Sequence, residues 1–184
     1  MARYVALLRG INVGGKNLIP MPALKTAFEE AGLEDVRTYI QSGNVLFSAR
    51  SSSQGELTRR VEALVRAAFD HYDASVVLRS RSQMRAVVER RPKGFGGEPA
   101  MYRYDVCFLK AGTTAKQVVS GLPLKEGVDR IWAGTGVVYF SRLTSRATQS
   151  RLNRVASLPV YKQMTIRNWN TTAKLAELLE TTGG

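Results

Sequence analysis

The chain has 184 residues, 44% of them hydrophobic and 23% charged, which is enough for one domain or two small ones with a substantial core. It contains 27 Lys and Arg residues against 15 Asp and Glu residues, and the net charge of +12 is typical of proteins that bind polyanions, although it also serves solubility. Cys107 is the only cysteine and His71 the only histidine. This composition excludes an internal disulfide and a cysteine-based zinc site, and it removes most metal sites and most Ser-His or Cys-His catalysis.

The N-terminal residues lack the long apolar stretch and the small-residue cleavage site of a signal peptide. No segment approaches the roughly 20 consecutive apolar residues of a membrane span. The sequence therefore predicts a cytoplasmic protein with no membrane association. Because potential metal ligands and cofactor motifs are sparse, we expect no metal ion and no cofactor.

The first half of the chain predicts the element order βαββαβ. One helix begins near Pro22, and another follows the capping-box pair Ser53 and Glu56. The pair Ser42–Gly43 predicts a tight hairpin turn between the second and third strands. The four strands are expected at about residues 3–9, 36–41, 45–47 and 75–78.

The second half is predicted to repeat this order after a glycine-rich linker at residues 93–99. An additional helix precedes the linker, beginning with the capping box of Ser80 and Gln83 and ending at Pro92. Thr114 caps a short helix. Strands are expected at about residues 101–109, 130–133 and 137–141, and helices at about 148–156 and 170–179.

Together these elements predict an α+β protein. We expect a two-layer sandwich built from ferredoxin-like βαββαβ units, duplicated along the chain, with a mainly antiparallel sheet. The expected domains are residues 1–92, an N-terminal βαββαβ unit with an extra helix, and residues 93–184, a C-terminal α+β unit. The two are expected to pack as one compact protein.

The segment Gly10-Ile11-Asn12-Val13-Gly14-Gly15-Lys16 follows the first strand and has the G-x-x-x-x-G-K spacing of a phosphate-binding P-loop. Asn17 stands where a P-loop has the Ser or Thr that binds magnesium, and residues 18–22 separate the segment from the next helix. Two interpretations stay open. One is a backbone nest for another anion, and the other is a loop whose backbone groups are satisfied by Asn12 and Asn17.

The C-terminal third of the chain is strongly basic. No acidic residue occurs between Asp129 and Glu177, and the span is rich in Ser, Thr and Asn. Such a stretch suits phosphates or a nucleic-acid backbone, although most charged stretches are simply solvated surface. Arg151 and Arg154 are three residues apart, so in a helix they share a face. The basic residues of the span are Arg130, Arg142, Arg146, Arg151, Arg154, Lys162, Arg167 and Lys174.

The segment Thr165-Ile166-Arg167-Asn168-Trp169-Asn170-Thr171 leads into the last helix. Asn168 or Asn170 can cap that helix. Trp169 has two interpretations: it can stack on a base or a sugar, or it can anchor the core at the start of the helix.

Four stretches resemble the bacterial family named domain of unknown function 1697. They are residues 7–17 (LLRGINVGGKN), 39–45 (YIQSGNV), 150–152 (SRL) and 165–171 (TIRNWNT). The resemblance implies an α+β domain and a cytosolic bacterial protein. It brings no established activity, cofactor or catalytic residue.

The polar residues of these stretches lie at strand ends and in loops, where binding sites are commonly built. We therefore expect the opening loop, the hairpin and the entry to the last helix to converge in one polar cleft that binds an anion. The candidate ligand-binding residues are Arg9, Asn12, Gly14, Gly15, Lys16, Gln41, Asn44, Arg151, Arg167, Asn168 and Trp169.

Three functions stay open at this point. The first is a module that binds nucleic acid or another polyanion, based on the net charge and the acid-free span. The second is an enzyme or sensor for a small phosphorylated or carboxylated metabolite, based on the glycine loop with Arg9, Lys16 and Arg167. The third is a scaffold or interaction protein. No cluster of His, Cys or carboxylate residues indicates a reaction, so no catalytic residue is assigned.

Overall fold

The computed structural model describes residues 1–50 and 53–181, which contain two four-stranded antiparallel sheets. The chain divides into two compact units. We call residues 1–84 with 175–184 unit 1, and residues 85–174 unit 2. These units group residues 85–92 and 175–184 differently from the expected halves, 1–92 and 93–184.

Unit 1 contains the βαββαβ element order that the sequence predicts. Its sheet has the strand order β2-β3-β1-β4, and every neighbouring pair is antiparallel. The central strand is buried at each residue from Tyr4 to Leu8. The elements are β1 (Ala2–Leu8), α1 (Met21–Glu30), β2 (Glu34–Tyr39), β3 (Asn44–Ala49), α2 (Gln54–Ala68), β4 (Val76–Ser80) and then α3 (Arg81–Glu89).

The core of unit 1 lies between the sheet and the helices α1 and α2. Phe28 from α1 meets Phe47 from β3 edge to face, with 5.6 Å between the ring centroids. Val61 and Val65 of α2 are completely buried in the same cluster. Apolar residues at helical spacing thus supply one layer, and alternate residues of the strands supply the other.

Unit 2 repeats the arrangement of strands. Its sheet has the order β6-β7-β5-β8, again all antiparallel, so the first strand of each unit lies between the third and the fourth. The predicted α+β class with antiparallel sheets is confirmed. The elements are β5 (Tyr102–Leu109), α4 (Ala115–Gly121), β6 (Asp129–Ala133), β7 (Val137–Leu143), β8 (Met164–Asn168) and α5 (Trp169–Glu180). The unit boundaries fall within two helices, so that α3 belongs to unit 2 from Arg85 and α5 belongs to unit 1 from Leu175.

The helix expected at residues 148–156 is not an α-helix. Three short 3₁₀ helices occupy this part of unit 2, at Thr144–Gln149, Leu152–Ser157 and Pro159–Gln163. Two side chains outside these helices accept backbone N–H groups of the segment. Ser150 Oγ accepts the N–H of Leu152 at 3.2 Å, and the carboxylate of Asp129 accepts the N–H of Arg151 at 2.8 Å. Because these N–H groups are bonded outside a helix ladder, the α-helix does not form.

Two further details differ from the sequence-based expectation. The hairpin between β2 and β3 has four connecting residues, Ile40 to Gly43, rather than two. Strand β8, which no sequence pattern predicted, pairs with β5 along its whole length. Its first four residues alternate apolar and polar, but the run is short and leads directly into the last helix, and the pairing with β5 defines the strand.

The helix caps were predicted correctly. The capping boxes Ser53–Glu56 and Thr114–Gln117 are both formed, and Asn168 Oδ1 accepts the N–H of Thr171 at the start of α5. The longest helix that the structure describes has 15 residues, and none of the described helices combines the length and apolar composition needed to cross a membrane.

We predict that Thr114→Ala lowers the free energy of unfolding by about 1 kcal/mol, because the N–H of Gln117 loses its side-chain acceptor at the start of α4. Urea denaturation measures the difference. Thr114→Ser is the matched control and should retain most of the stability, since its hydroxyl can form the same bond. Equal stability of the Ala and Ser variants would contradict the prediction.

Candidate functional site

The segment after β1 is a small hairpin of its own, which we call the opening loop (residues 9–19). Val13 and Lys16 form a β-bridge, and Lys16 N–H donates to the carbonyl of Val13 at 3.0 Å. Gly14 and Gly15 between them have φ angles of +58° and +73°, as a type I′ turn requires. A Cβ added at either glycine meets no atom within 4 Å, so the tip projects into open space.

This geometry differs from that of a P-loop. Helix α1 begins at Met21 after Pro20, so the loop does not run directly into a helix N-terminus. Asn17 has a φ of +50°, and its side chain donates to the carbonyl of Gly10 at 2.8 Å. The residue at the magnesium position of the motif is therefore used to close the loop.

Asn12 connects the opening loop to the β2–β3 hairpin. Its Nδ2 donates to the carbonyls of Ile19 at 3.0 Å and Gln41 at 2.9 Å, while its Oδ1 accepts the N–H of Ile19 at 2.8 Å. It also has a φ of +52°, which Asn tolerates better than most residues. Two of the sequence motifs thus meet within unit 1, and one amide side chain joins them.

Asn44 and Gly43 complete this junction. Asn44 is completely buried, and its Nδ2 donates to the carbonyl of Tyr39 and to Ser42 Oγ. A Cβ at Gly43 would lie 2.6 Å from Cδ1 of Ile11, and the carbonyl of Gly43 accepts the N–H of Leu8 at 2.8 Å. Only glycine allows the hairpin to approach the end of β1 this closely.

Ile40 is the unusual residue of the hairpin. It is 49% exposed and has a φ of +51°, a conformation that a β-branched side chain rarely adopts. Val13 and Leu18 of the opening loop are 64% and 63% exposed. The two segments that Asn12 joins therefore carry three exposed apolar side chains.

The candidate residues of unit 2 have separate roles. Arg167 is 7% exposed, and its Nη1 donates to Thr165 Oγ1 at 2.8 Å and to the carbonyl of Ile166 at 2.9 Å. Asn168 caps α5. Arg151 is exposed, whereas Trp169 is half-buried against Phe95, with 5.3 Å between their ring centroids. A role of these residues in ligand binding stays a prediction, as does their convergence with the opening loop in one cleft.

Arg167 has a counterpart in unit 1. Arg79 is the fourth residue of β4, as Arg167 is of β8, and both are buried. Each donates Nη1 to the carbonyl of the preceding residue, and each lies opposite a valine of the central strand, Val5 or Val106. Burial lowers the pKa of Arg79 to about 10. The repeat therefore extends from element order to one charged side chain.

Six aromatic residues in unit 2 form a cluster that no sequence pattern predicted. Phe95, from the segment read as a linker, lies at its centre and is 4% exposed. Its ring meets four others edge to face at centroid distances of 4.9 to 5.9 Å. We call Phe95, Tyr102, Tyr104, Trp132, Tyr139 and Trp169 the aromatic cluster. The alternating tyrosines of β5 were the only available signal.

The single cysteine is buried in the core of unit 2, and the single histidine lies on the surface of unit 1. Cys107 is completely buried, and burial raises its thiol pKa to about 12, so the nucleophilic thiolate does not form at neutral pH. His71 is exposed, next to Asp70. Among residues 1–50 and 53–181, no group of three or more His, Cys, Asp or Glu residues could hold a metal ion.

The protein is of the α+β class, with two units that each contain an antiparallel sheet. A hairpin rich in glycine and asparagine follows the first strand. The family described as "Protein of unknown function (DUF1697)" matches residues 1–139, and the chain belongs to this family. The resemblance seen in the sequence motifs is therefore confirmed.

One solved structure extends the comparison to the rest of the chain. It is described as the structure of conserved bacterial protein SP0830 from Streptococcus pneumoniae. The two chains are 28% identical, with a TM-score of 0.85 over 98% of this chain and 99% of that chain. In the comparison with curated proteins, nothing matches.

We predict that Asn12→Ala lowers the free energy of unfolding by about 2–4 kcal/mol, because three hydrogen bonds are lost and alanine is strained at positive φ. Lys16→Ala, at the exposed tip of the same loop, is the control and should change stability by less than about 0.5 kcal/mol. Thermal or urea unfolding measures both variants. A neutral Asn12 variant would show that the loop does not depend on this amide.

We predict the opposite sign for Ile40. Ile40→Gly should raise the free energy of unfolding by about 0.5–1 kcal/mol, because relief of the left-handed strain exceeds the entropic cost of glycine. Val13→Gly is the control: Val13 is equally apolar and exposed, but its φ is not positive, so glycine should destabilise there by about 0.5–1 kcal/mol. A destabilised Ile40→Gly variant would show that the exposed side chain contributes packing that outweighs its strain.

Proposed function

We propose that this protein binds nucleic acid through its phosphate backbone, and that unit 2 carries the binding surface. The observation behind the proposal is the distribution of charge. Unit 2 has 16 Lys and Arg residues against 5 Asp and Glu residues, a net charge of +11, whereas unit 1 has 11 against 10, a net charge of +1. Solubility does not require nearly all of the excess charge to lie in one half of a chain.

Many cations of unit 2 are available to a ligand. Arg130, Arg146, Arg151, Arg154 and Lys162 are exposed, and within the described chain none of these five forms an ion pair with a carboxylate. Four of them lie on or beside the 3₁₀ helices, where Arg154 N–H donates to the carbonyl of Arg151 across a single turn. Exposed guanidinium and ammonium groups that form no ion pair are available for contacts with phosphates.

A long polyanion fits these features better than a small metabolite does. A metabolite site needs a concavity with converging polar groups. The opening loop, the first candidate for such a site, uses its Asn side chains to close its own backbone and projects its glycine tip outward. The cations of unit 2 are spread over a surface, as they are in proteins that follow a phosphate backbone.

The interaction-protein function has one observation in its favour. Val13, Leu18 and Ile40 are large apolar side chains exposed on two hydrogen-bonded segments of unit 1, and exposed apolar side chains that form a patch are typical of a protein contact. They lie in the nearly neutral unit, so they are compatible with a nucleic-acid surface on unit 2. The cytoplasmic location expected from the sequence belongs to the same proposal.

The test is the salt dependence of binding to a single-stranded RNA or DNA. If the five cations named above contact phosphates, they contribute about −3.5 to the slope of log Kobs against log salt concentration. The double variant Arg151→Glu, Arg154→Glu should weaken binding by about tenfold or more at low salt and flatten the slope.

The matched control is Arg50→Glu, Arg59→Glu, which changes the net charge equally but on exposed residues of unit 1. It should leave the affinity within about twofold and the slope unchanged. An equal loss in both double variants would place the effect in overall charge rather than in unit 2. No salt-sensitive binding of the unsubstituted protein to RNA or DNA would end the proposal.

A further inference from the structure

The aromatic cluster combines a closed centre with an accessible margin. Phe95, Tyr104 and Tyr139 are buried, whereas Tyr102, Trp132 and Trp169 remain half-buried. Tyr139 donates its hydroxyl to the carbonyl of Val87 at 2.7 Å. The buried rings at the centre are therefore part of the packed interior. Only the three rings at the margin are accessible to a ligand.

The strand register places most of these rings on one face of the unit 2 sheet. Tyr102 and Tyr104 alternate along β5, Val106 of the same face lies opposite Tyr139 on β7, and Tyr139 lies opposite Trp132 on β6. The other face carries the apolar core beneath α4, including Cys107, Val138 and Phe140. One face of the sheet therefore packs in the apolar core with α4, and the other carries most of the aromatic cluster.

Two exposed arginines lie over rings at the margin. The guanidinium carbon of Arg130 is 5.3 Å from the centroid of Tyr102, and that of Arg91 is 5.6 Å from the centroid of Trp169. Contact with the ring restricts each long side chain and leaves its outer surface open. Burial raises the pKa of Tyr139, and the charge of Arg91 opposes that shift, which locates this cation beside the cluster as well.

We propose that this margin binds unpaired bases, so that the nucleic acid recognised by unit 2 is single-stranded; the inference rests on the proposed function. Half-buried aromatic rings and guanidinium planes are the groups on which exposed bases stack. Both arginines also carry charge for the neighbouring phosphates. A duplex keeps its bases inside, so it can use the cations but not the rings.

The chain supplies its own optical probe, because Trp132 and Trp169 are its only tryptophans and both belong to the cluster. The experiment titrates the full-length protein with an oligodeoxythymidylate of about 10 nucleotides, a length within the range of single-strand sites. The comparison ligand is an abasic deoxyribose-phosphate strand of the same length, which has the charge and no bases. A duplex of the same length is the third ligand.

We expect the oligonucleotide to quench tryptophan fluorescence and to bind at least about fivefold more tightly than the abasic strand, since each stacked base contributes roughly 5- to 150-fold. The single variants Trp132→Phe and Trp169→Phe assign the quenching to one ring or both. Arg130→Lys keeps the charge and removes the guanidinium plane. It should weaken binding of the oligonucleotide several-fold more than binding of the abasic strand, so that the ratio of the two affinities falls.

The possible results separate this inference from the proposed function. Equal affinity for the oligonucleotide and the abasic strand, without quenching, overturns base stacking and leaves backbone binding in place. Tighter binding of the duplex than of the single strand overturns the preference for unpaired bases. If none of the three ligands binds at low salt, the proposed function itself fails. Because Arg130 is exposed and the Lys variant alters no buried group, loss of folding does not obscure the outcome.

Discussion

The rest of each unit depends on the buried central strand of its sheet, which is the first strand of that unit. Strands β1 and β5 are paired on both sides, between the third and fourth strands of their units, and each is buried along most of its length. The buried positions of such a strand take mainly apolar side chains, because a buried polar group without a partner is costly. In unit 1 the opening loop follows the central strand, and in unit 2 the segment that carries Phe95 precedes it.

The polar motif residues that the sequence suggested as ligand-binding residues form hydrogen bonds within the fold. Asn12, Asn17 and Asn44 donate to backbone carbonyls of the opening loop and the hairpin. Asn168 begins the last helix. Arg167 shares its position and its backbone contact with Arg79 of the other unit, which is what a duplicated structural role produces. Polar residues in turns satisfy backbone groups as well as bind ligands, and their residue types alone do not distinguish the two roles.

Function is better read from the difference between the units than from their common features. They share a strand order and a buried arginine, but their net charges are +1 and +11. A fold requires no such excess, since charge far from zero works against compactness. The aromatic margin also lies in the basic unit, where Arg91 and Arg130 belong to both features. Charge and stacking surfaces in one unit are the combination that single-stranded nucleic acids use.

The sequence alone determined what depends on near neighbours: the capping boxes at Ser53 and Thr114, the cap at Asn168, and the strands with strong apolar runs. These features form from residues three or four positions apart, so a local pattern predicts them. The tertiary structure decided the rest. Asp129 takes the N–H of Arg151 from 22 positions away, and β8 is a strand only because β5 pairs with it. Phe95 contacts rings from three strands and a helix. Arg167 is buried rather than exposed. Each of these depends on which distant segments become neighbours, and no local pattern contains that information.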